Sequence, residues 1–250
     1  DIIPTQMKIA LLADIHTNLE ALEKVLLDAR SQQVTSYVCL GDIVGYNANP
    51  KECLDLIREL NMPVVKGNWD EYCTSPVSLE GFDINAAESV RWTRTQLNEA
   101  DRLWLNDLPY VRQTDQFTIV HGTLERPERW GYIFSDHWSE AEGSFNCQTT
   151  NLCFNGHTHI PVAFARDASG TMFSDSYTKF KLDSHKRYCI NVGSVGQPRD
   201  GIPKAAYVIY NLEEQTIELR RVAYDVTRAQ MKILAAGLPA RLAEHLGLGQ

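Results

Sequence analysis

The chain lacks a basic surplus. Its 24 Lys and Arg stand against 32 Asp and Glu, a formal net charge of −8 at pH 7. A nucleic-acid surface needs a concentrated positive patch, so none is expected. Long apolar runs are missing too: no stretch approaches the ~18–20 residues that cross a bilayer, and no membrane association is expected. Asp1–Gln6 has neither the basic start nor the apolar core of a signal peptide, and reads either as added or disordered residues or as an extended start before Met7. Paired cysteine spacing is also absent. Cys39, Cys53, Cys73, Cys147, Cys153 and Cys189 form no CxxC, and several fall inside apolar runs, which fits buried free thiols in a reducing, cytoplasmic setting better than a disulfide framework. No internal repeat and no Pro/Gly/Ser-rich linker divides the chain. Residues 1–250 are therefore read as one domain, with 226–250 as a C-terminal helical segment.

Hydrophobic content of 44% and charged content of 22% are ordinary for a globular chain. The distribution is more informative. Five times a short apolar run ends in Asp, Asn or His: KIALLADIH (Lys8–His16), YVCLGD (Tyr37–Asp42), PVVKGNWD (Pro63–Asp70), FTIVHG (Phe117–Gly122) and LCFNGHTH (Leu152–His159). Runs of this length bounded by turn residues read as buried strands, whose ends converge on one sheet edge. Leu19–Arg30 has helical spacing, with Thr17 or Asn18 able to cap it, and Pro50–Leu60 is a second helix with Pro in its first turn. With strands at Thr35–Leu40 and Met62–Val65 this is a β-α-β-α-β start, and a parallel sheet follows. Asn85–Leu105 is read as helical, as are Trp138–Cys147 and the tail from Thr227. Strands are expected at 110–113, 117–120, 152–155, 162–166, 171–174, 188–192, 205–211 and 216–222.

The five strand ends gather Asp14, His16, Asp42, Asn68, His121, His157 and His159, four of the seven histidines among them. Carboxylate oxygen, amide oxygen and neutral imidazole suit hard or borderline divalent metals, and a close metal pair needs one shared ligand, for which Asp42 is placed. Strand alternation puts Asp14 with His16, and His157 with His159, on common sides. A lone Asp-x-His or Gly-Asp at a strand end is usually a cap or turn, and His137, His185 and His245 read as ordinary surface or core residues. Five clusters in order are specific. Two divalent cations offset by two carboxylates leave a positive pocket, which recruits a phosphate ester.

The ordered motifs DIH, GDIVGY, GNWD, VHG and GHTH resemble the calcineurin-like metallophosphoesterase superfamily over roughly Met7 to Gly196. DIHTNLEALEKVL and GDIVGYNANP are most similar to its compact bacterial and archaeal branch. The resemblance implies a four-layer α/β/β/α sandwich of two mixed sheets and a dinuclear metal-dependent phosphoesterase. By position, one metal takes Asp14, His16, Asp42 and His159, and the other takes Asp42, Asn68, His121 and His157, with Asp42 bridging and Asp42 and Asn68 holding the nucleophile's metals. Mn is expected to activate best, with Fe, Zn, Co or Ni also compatible.

One position departs. Most members read GNHD, whose histidine protonates the leaving oxygen or binds phosphate, whereas this chain has Trp69. Loss of a positioned acid costs about 10²–10⁴ in rate with a poor leaving group, which tilts the expectation toward phosphodiesters or activated aryl esters. A phosphomonoesterase (phosphoprotein phosphatase or dinucleoside polyphosphate hydrolase) and a non-catalytic protein-binding scaffold are the alternatives. Trp69 is either packing beneath its loop or a stacking wall for a nucleobase, and a nucleotide substrate is compatible. Asn18, Tyr46 and Arg199 are further candidate substrate contacts, although Arg199 also reads as a surface turn. Trp130, Tyr132 and Trp138 can line a cleft or, with the apolar tail helix, a homo-oligomer interface.

Overall fold

A computed structural model describes residues 7–136 and 138–250. The sequence-based readings of Asp1–Gln6 and His137 lie outside the described residues. Two mixed sheets form the frame. The first runs in the order β2 (Ser36–Cys39), β1 (Lys8–Leu12), β10 (Ala205–Asn211), β11 (Thr216–Val222), β8 (Lys179–Lys181). The second runs β3 (Val111–Gln113), β4 (Thr118–Val120), β5 (Leu152–Asn155), β9 (Arg187–Asn191), β6 (Val162–Arg166), β7 (Met172–Asp175). Parallel pairing joins β1 to β2, β4 to β5 and β5 to β9, and the other pairs are antiparallel.

The residues of β1 show how the layers form. Ile9 and Leu11 point between the sheets, where they meet Ile119, Phe154, Ile190, Val208 and Tyr210. Ala10 and Leu12 point the other way and pack under Ala21, Leu22, Val25 and Leu26 of α1 (Leu19–Ser31). A strand buried on both faces must be apolar throughout, which is why KIALL reads as a continuous run. Helices α2 (Pro50–Glu59), α4 (Ile84–Gln96), α7 (Val226–Ala235) and α8 (Ala240–Leu248) add residues to the same outer core, and α6 (Trp138–Cys147) covers the far side of the second sheet through Ala141 and Phe145. The layers are therefore α/β/β/α, as the family resemblance implied.

Several local readings needed correction. The expected strand at Met62–Val65 is reduced to one parallel bridge, Cys39 with Val64. Pro63 has no N–H to give, and the Val64 carbonyl is taken by Arg112 Nε at 2.9 Å. The helix read over Asn85–Leu105 is two. Leu97 is extended, and Asn98 starts α5 (Glu99–Asn106): its Oδ1 accepts from the Asp101 N–H while Asp101 Oδ2 accepts from the Asn98 N–H. The tail breaks at Gly237, φ +73°, into α7 and α8. Two further elements are β8, too short at three residues with a single apolar side chain to mark a strand, and α3 (Asn68–Thr74), which begins on a candidate ligand. Cys147 is exposed, whereas the other five cysteines are buried, and all six are free.

Leu11 is fully buried between the sheets, so Leu11→Ala should lower unfolding free energy by about 2–5 kcal/mol through lost transfer energy and an uncollapsed cavity. Urea denaturation checks this, and a loss under 1 kcal/mol would contradict the inter-sheet placement.

Candidate metal centre

The carboxyl-terminal ends of β1, β2, β4 and β5 deliver the site, but the strands stop short of it. Asp14 and His16 follow Leu12, Asp42 follows Cys39, and His157 and His159 follow Asn155. Strand alternation therefore does not align them. Instead Asp14 (φ 53°), His16 (φ 46°), Asp42 (φ 53°), His157 (φ 70°) and His159 (φ 61°) all adopt the left-handed region. Each such residue costs about 1–3 kcal/mol unless its surroundings over-determine it. Here they do. Asp14, His16 and Thr17 donate their N–H groups to the carbonyls of Gly41, Asp42 and Ile43 at 3.1, 2.9 and 2.9 Å, which ties the first two loops together. The Asn191 amide donates to the Gly156 carbonyl and to Thr158 Oγ1, holding the third loop, and Ser194 Oγ donates to the Asp14 carbonyl at 2.8 Å.

Asp70 is the fastener that the sequence reading passed over. Its Oδ2 accepts from the Asp42 and Gly67 N–H groups, both at 2.9 Å, and its Oδ1 from Ile43 and Val44 at 2.9 and 3.3 Å. Burial and the neighbouring Asp42 charge push its pKa up to about 7, while the backbone donors favour the charged form. Gly67 beside it has no room for a side chain, because a Cβ would strike the Asp42 carboxylate. The final position of GNWD was the available signal.

All seven candidate ligands come together. Donor atoms of Asp14, His16, Asp42 and His159 lie within 4.8 Å of one another, as do those of Asp42, His121 and His157, so Asp42 belongs to both groups. Asn68 Oδ1 is 3.1 Å from His121 Nε2. Every one of these residues is buried.

The hydrogen-bond pattern tests whether a cation fits. His16 Nδ1 faces the Val44 carbonyl at 3.1 Å, His121 Nδ1 faces Leu40 at 2.8 Å, His159 Nδ1 faces Gln197 at 2.6 Å, and His157 Nε2 faces Trp130 at 2.9 Å. A carbonyl can only accept, so each of these nitrogens carries the proton and the opposite nitrogen of a neutral ring is a lone pair. Those lone pairs meet inside. His16 Nε2 is 3.2 Å from His159 Nε2, and His121 Nε2 is 3.1 Å from His157 Nδ1. His159 Nε2 is 3.2 Å from Asp14 Oδ1, and His121 Nε2 is 3.3 Å from Asp42 Oδ2. Facing lone pairs are costly to bury, and cations are what such a set binds. Imidazoles that give their outer N–H to a carbonyl are the usual form of metal-ligating histidine. Burial pushes His16 down to about 3 and His157 and His159 well below the ordinary range, so they are neutral and ready to ligate. His121 differs: burial pushes it down, but the charge and hydrogen bond of Asp42, with Asp14, lift it to about 9.

The remaining candidates separate. Asn18 is committed elsewhere: its oxygen caps α1 by accepting from the Ala21 N–H at 3.1 Å, and its amide donates to the Gly196 carbonyl at 2.9 Å. Trp69 is only 5% exposed, and its ring lies under Gly45 and 3.9 Å from the Tyr46 ring, so its face is not open for stacking. Tyr46 sits beside the cluster, 4.7 Å from the His16 ring. Arg199 Nη2 donates to Tyr46 Oη at 3.2 Å and to Gln197 Oε1 at 2.8 Å, which places its charge at the mouth. Tyr132 stacks on His157 with centroids 3.9 Å apart.

The calcineurin-like phosphoesterase superfamily domain matches residues 7–215. The chain is 40% identical over 246 residues to the uncharacterised protein MJ0912 of Methanocaldococcus jannaschii, covering 97% of this chain and 98% of that one. Its structure is similar to a crystal structure of a metallophosphoesterase from Sphaerobacter thermophilus, with a TM-score of 0.85 at 37% identity, covering 98% and 100% of the two chains. It shares the fold of hypothetical protein PH1004 from Pyrococcus horikoshii, with a TM-score of 0.80 at 20% identity over 98% and 99%. Fold and site define a metal-dependent phosphoesterase. The chain belongs to the calcineurin-like phosphoesterase superfamily. Among the described residues no helix is long and apolar enough to cross a membrane.

Asp70→Ala removes the acceptor from four buried N–H groups. At ~1–3 kcal/mol per unsatisfied group, a stability loss of at least about 3 kcal/mol is expected. With about 2–4 °C per kcal/mol for a chain of this size, calorimetry should show it plainly, and an unchanged melting temperature would contradict the role.

Proposed function

We propose that this chain hydrolyses phosphodiesters or aryl-activated phosphate esters at a dinuclear centre, one ion held by Asp14, His16, Asp42 and His159 and the other by Asp42, Asn68, His121 and His157. When bound, two divalent ions, Mn first among them, supply positive charge for the phosphoryl oxygens and a nucleophile from water near neutral pH. The protein's own groups do the rest. Asp42, shared between the two clusters, fixes their spacing, and the Trp69 N–H donating to Asp42 Oδ1 at 2.8 Å keeps that carboxylate oriented. Arg199 and Tyr46, paired at 3.2 Å beside the cluster, bind non-bridging phosphoryl oxygens and hold the ester in place.

The observation that carries the diester reading is Trp69. It occupies the position where the family resemblance expects an acid histidine, and it is buried against Tyr46. Among the described residues, the histidines at the cluster are the four candidate ligands themselves. His185 is exposed on the turn before β9, among Asn146, Arg166 and Lys186. Among the described residues no spare imidazole stands ready to protonate a leaving oxygen, which favours esters with stable leaving groups.

Rates across methyl aryl phosphodiesters of graded phenol acidity, with Mn²⁺ present, test this. The rate should fall steeply as the leaving phenol becomes less acidic, and bis(4-nitrophenyl) phosphate should turn over faster than 4-nitrophenyl phosphate. A flat dependence on the leaving group, or a strong monoester preference, would overturn the reading and favour a phosphomonoesterase.

A further inference from the structure

The strands around the metal centre carry a second charged cluster at their other ends. β6 begins at Val162, just after His159, and ends at Arg166, while β9 begins at Arg187 and ends at Asn191, which holds the Gly156–His159 loop. About 13 Å of strand therefore separates Arg187 from that loop. Arg166 and Arg187 are direct partners in the antiparallel β6–β9 ladder, so their side chains leave the same face of the sheet. Like charges set opposite each other destabilise a sheet. Among the described residues neither guanidinium is ion-paired with a carboxylate: Arg166 Nη1 donates to Asn146 Oδ1 at 2.7 Å, and Arg187 Nη1 to the Phe145 carbonyl at 3.3 Å. Each uses one of the five N–H donors that a guanidinium carries. The end of α6 attracts a cation, but one arginine would serve it. Lys186 adds a third cation, and the three line a cavity of about 470 Å³ with Asn151 and Ser184 beside them. The acid in that lining, Asp167, is folded into its own turn, its Oδ1 accepting from the Ser169 N–H and Oγ and from the Thr171 N–H at 2.9, 2.6 and 3.0 Å. On the facing turn Asp183 Oδ1 accepts from the His185 N–H at 2.9 Å, and its Oδ2 stays 4.0 Å from Lys186 Nζ.

We propose that Arg166, Arg187 and Lys186 form a second anion site, which binds the phosphate group of a small polar molecule at the end of the sheet away from the metal centre. Two neighbouring guanidiniums present forks that match a tetrahedral oxyanion, and Lys186 adds a point charge. Three cations against one lining carboxylate call for a ligand with about two negative charges, which a phosphate monoester carries near neutral pH. A long polyanion fits less well, because the chain's net charge of −8 repels it outside the cavity. The volume lies in the range of small-molecule sites and leaves room beyond the phosphate, where Asn151 and Ser184 offer hydrogen bonds to hydroxyl groups. No candidate metal ligand lines this cavity, so a phosphate ester is held there and not cleaved. The anion also removes the Arg166–Arg187 repulsion that the empty site carries.

Equilibrium dialysis of the Mn²⁺-loaded full chain against radiolabelled inorganic phosphate tests this, with Asp42→Ala and the double variant Arg166→Gln/Arg187→Gln in parallel. A phosphate site should persist in Asp42→Ala and be lost from the double variant. Arg187→Gln alone should weaken it about 10- to 100-fold, the worth of a hydrogen bond to a charged group. Without phosphate the double variant should melt at the wild-type temperature, because relief of the arginine repulsion offsets its lost contacts with α6. Its hydrolysis of bis(4-nitrophenyl) phosphate should also match wild type, and the binding readout stands whether or not that ester is turned over. If the arginines serve only the end of α6, the double variant melts lower and binds phosphate as wild type does, which defeats the proposal. So does phosphate binding that vanishes with Asp42→Ala in a folded chain, since the metal centre would then account for all of it.

Discussion

Four imidazoles turning their inner nitrogens toward one another set the terms for the rest of this structure. Each of His16, His121, His157 and His159 has its outer nitrogen against a backbone carbonyl, and each turns the other nitrogen inward toward Asp14 and Asp42. Carboxylates and imidazole nitrogens buried this close together are unstable by themselves, even with the Trp69 and His157 N–H groups donating to Asp42 and Asp14. The loops that carry the set are locked from outside, and it is a set that cations would satisfy. The fold supplies the lock. Both sheets end at the same place, so loops after β1, β2, β4 and β5 can exchange hydrogen bonds that no single sheet would allow.

The lock is built from polar side chains without direct chemistry. Asp70 ties the Gly41–Val44 loop to the start of α3, Asn191 ties the Gly156–His159 loop to β9, and Ser194 reaches the Asp14 carbonyl. These contacts offset the cost of five left-handed ligand residues, and strain of this kind concentrates where function needs a fixed geometry. Trp69 belongs to the same scaffold. By filling the space under Tyr46 it places a phenol, with Arg199 on its hydroxyl, where the cluster opens. Trp69 thus holds Tyr46 and, through its hydroxyl, Arg199 beside the cluster.

The sequence was legible where chemistry and burial coincide. KIALL, TIV and LCFN are buried on nearly every residue and SYVC on its last two, so their apolar runs marked the strands, and the polar clusters after them marked the edge that holds the site. The manner in which the ligands converge was not legible. Asp14 and His16 share a site through left-handed loop geometry, although their i, i+2 spacing suggested a strand. Nor could spacing show that Pro63 and Arg112 would reduce the third strand to a single bridge, since Arg112 is 48 residues from the carbonyl it takes. Asn18 looked available and is spent on a helix cap, whereas Tyr132 sits in a loop with no periodicity and depends on a contact 25 residues away in sequence, with His157. Long-range pairings of this sort leave little trace in local pattern.

The central claim is that two clusters sharing Asp42 each hold a cation. Metal analysis of the purified chain after Mn²⁺ loading and desalting tests it most directly, alongside His159→Ala and Asp42→Ala. The account predicts two ions per wild-type chain, about one after His159→Ala, which leaves the second cluster whole, and fewer than one after Asp42→Ala, which removes the shared ligand. One ion or none in a folded wild-type chain, or two retained without Asp42, would contradict it.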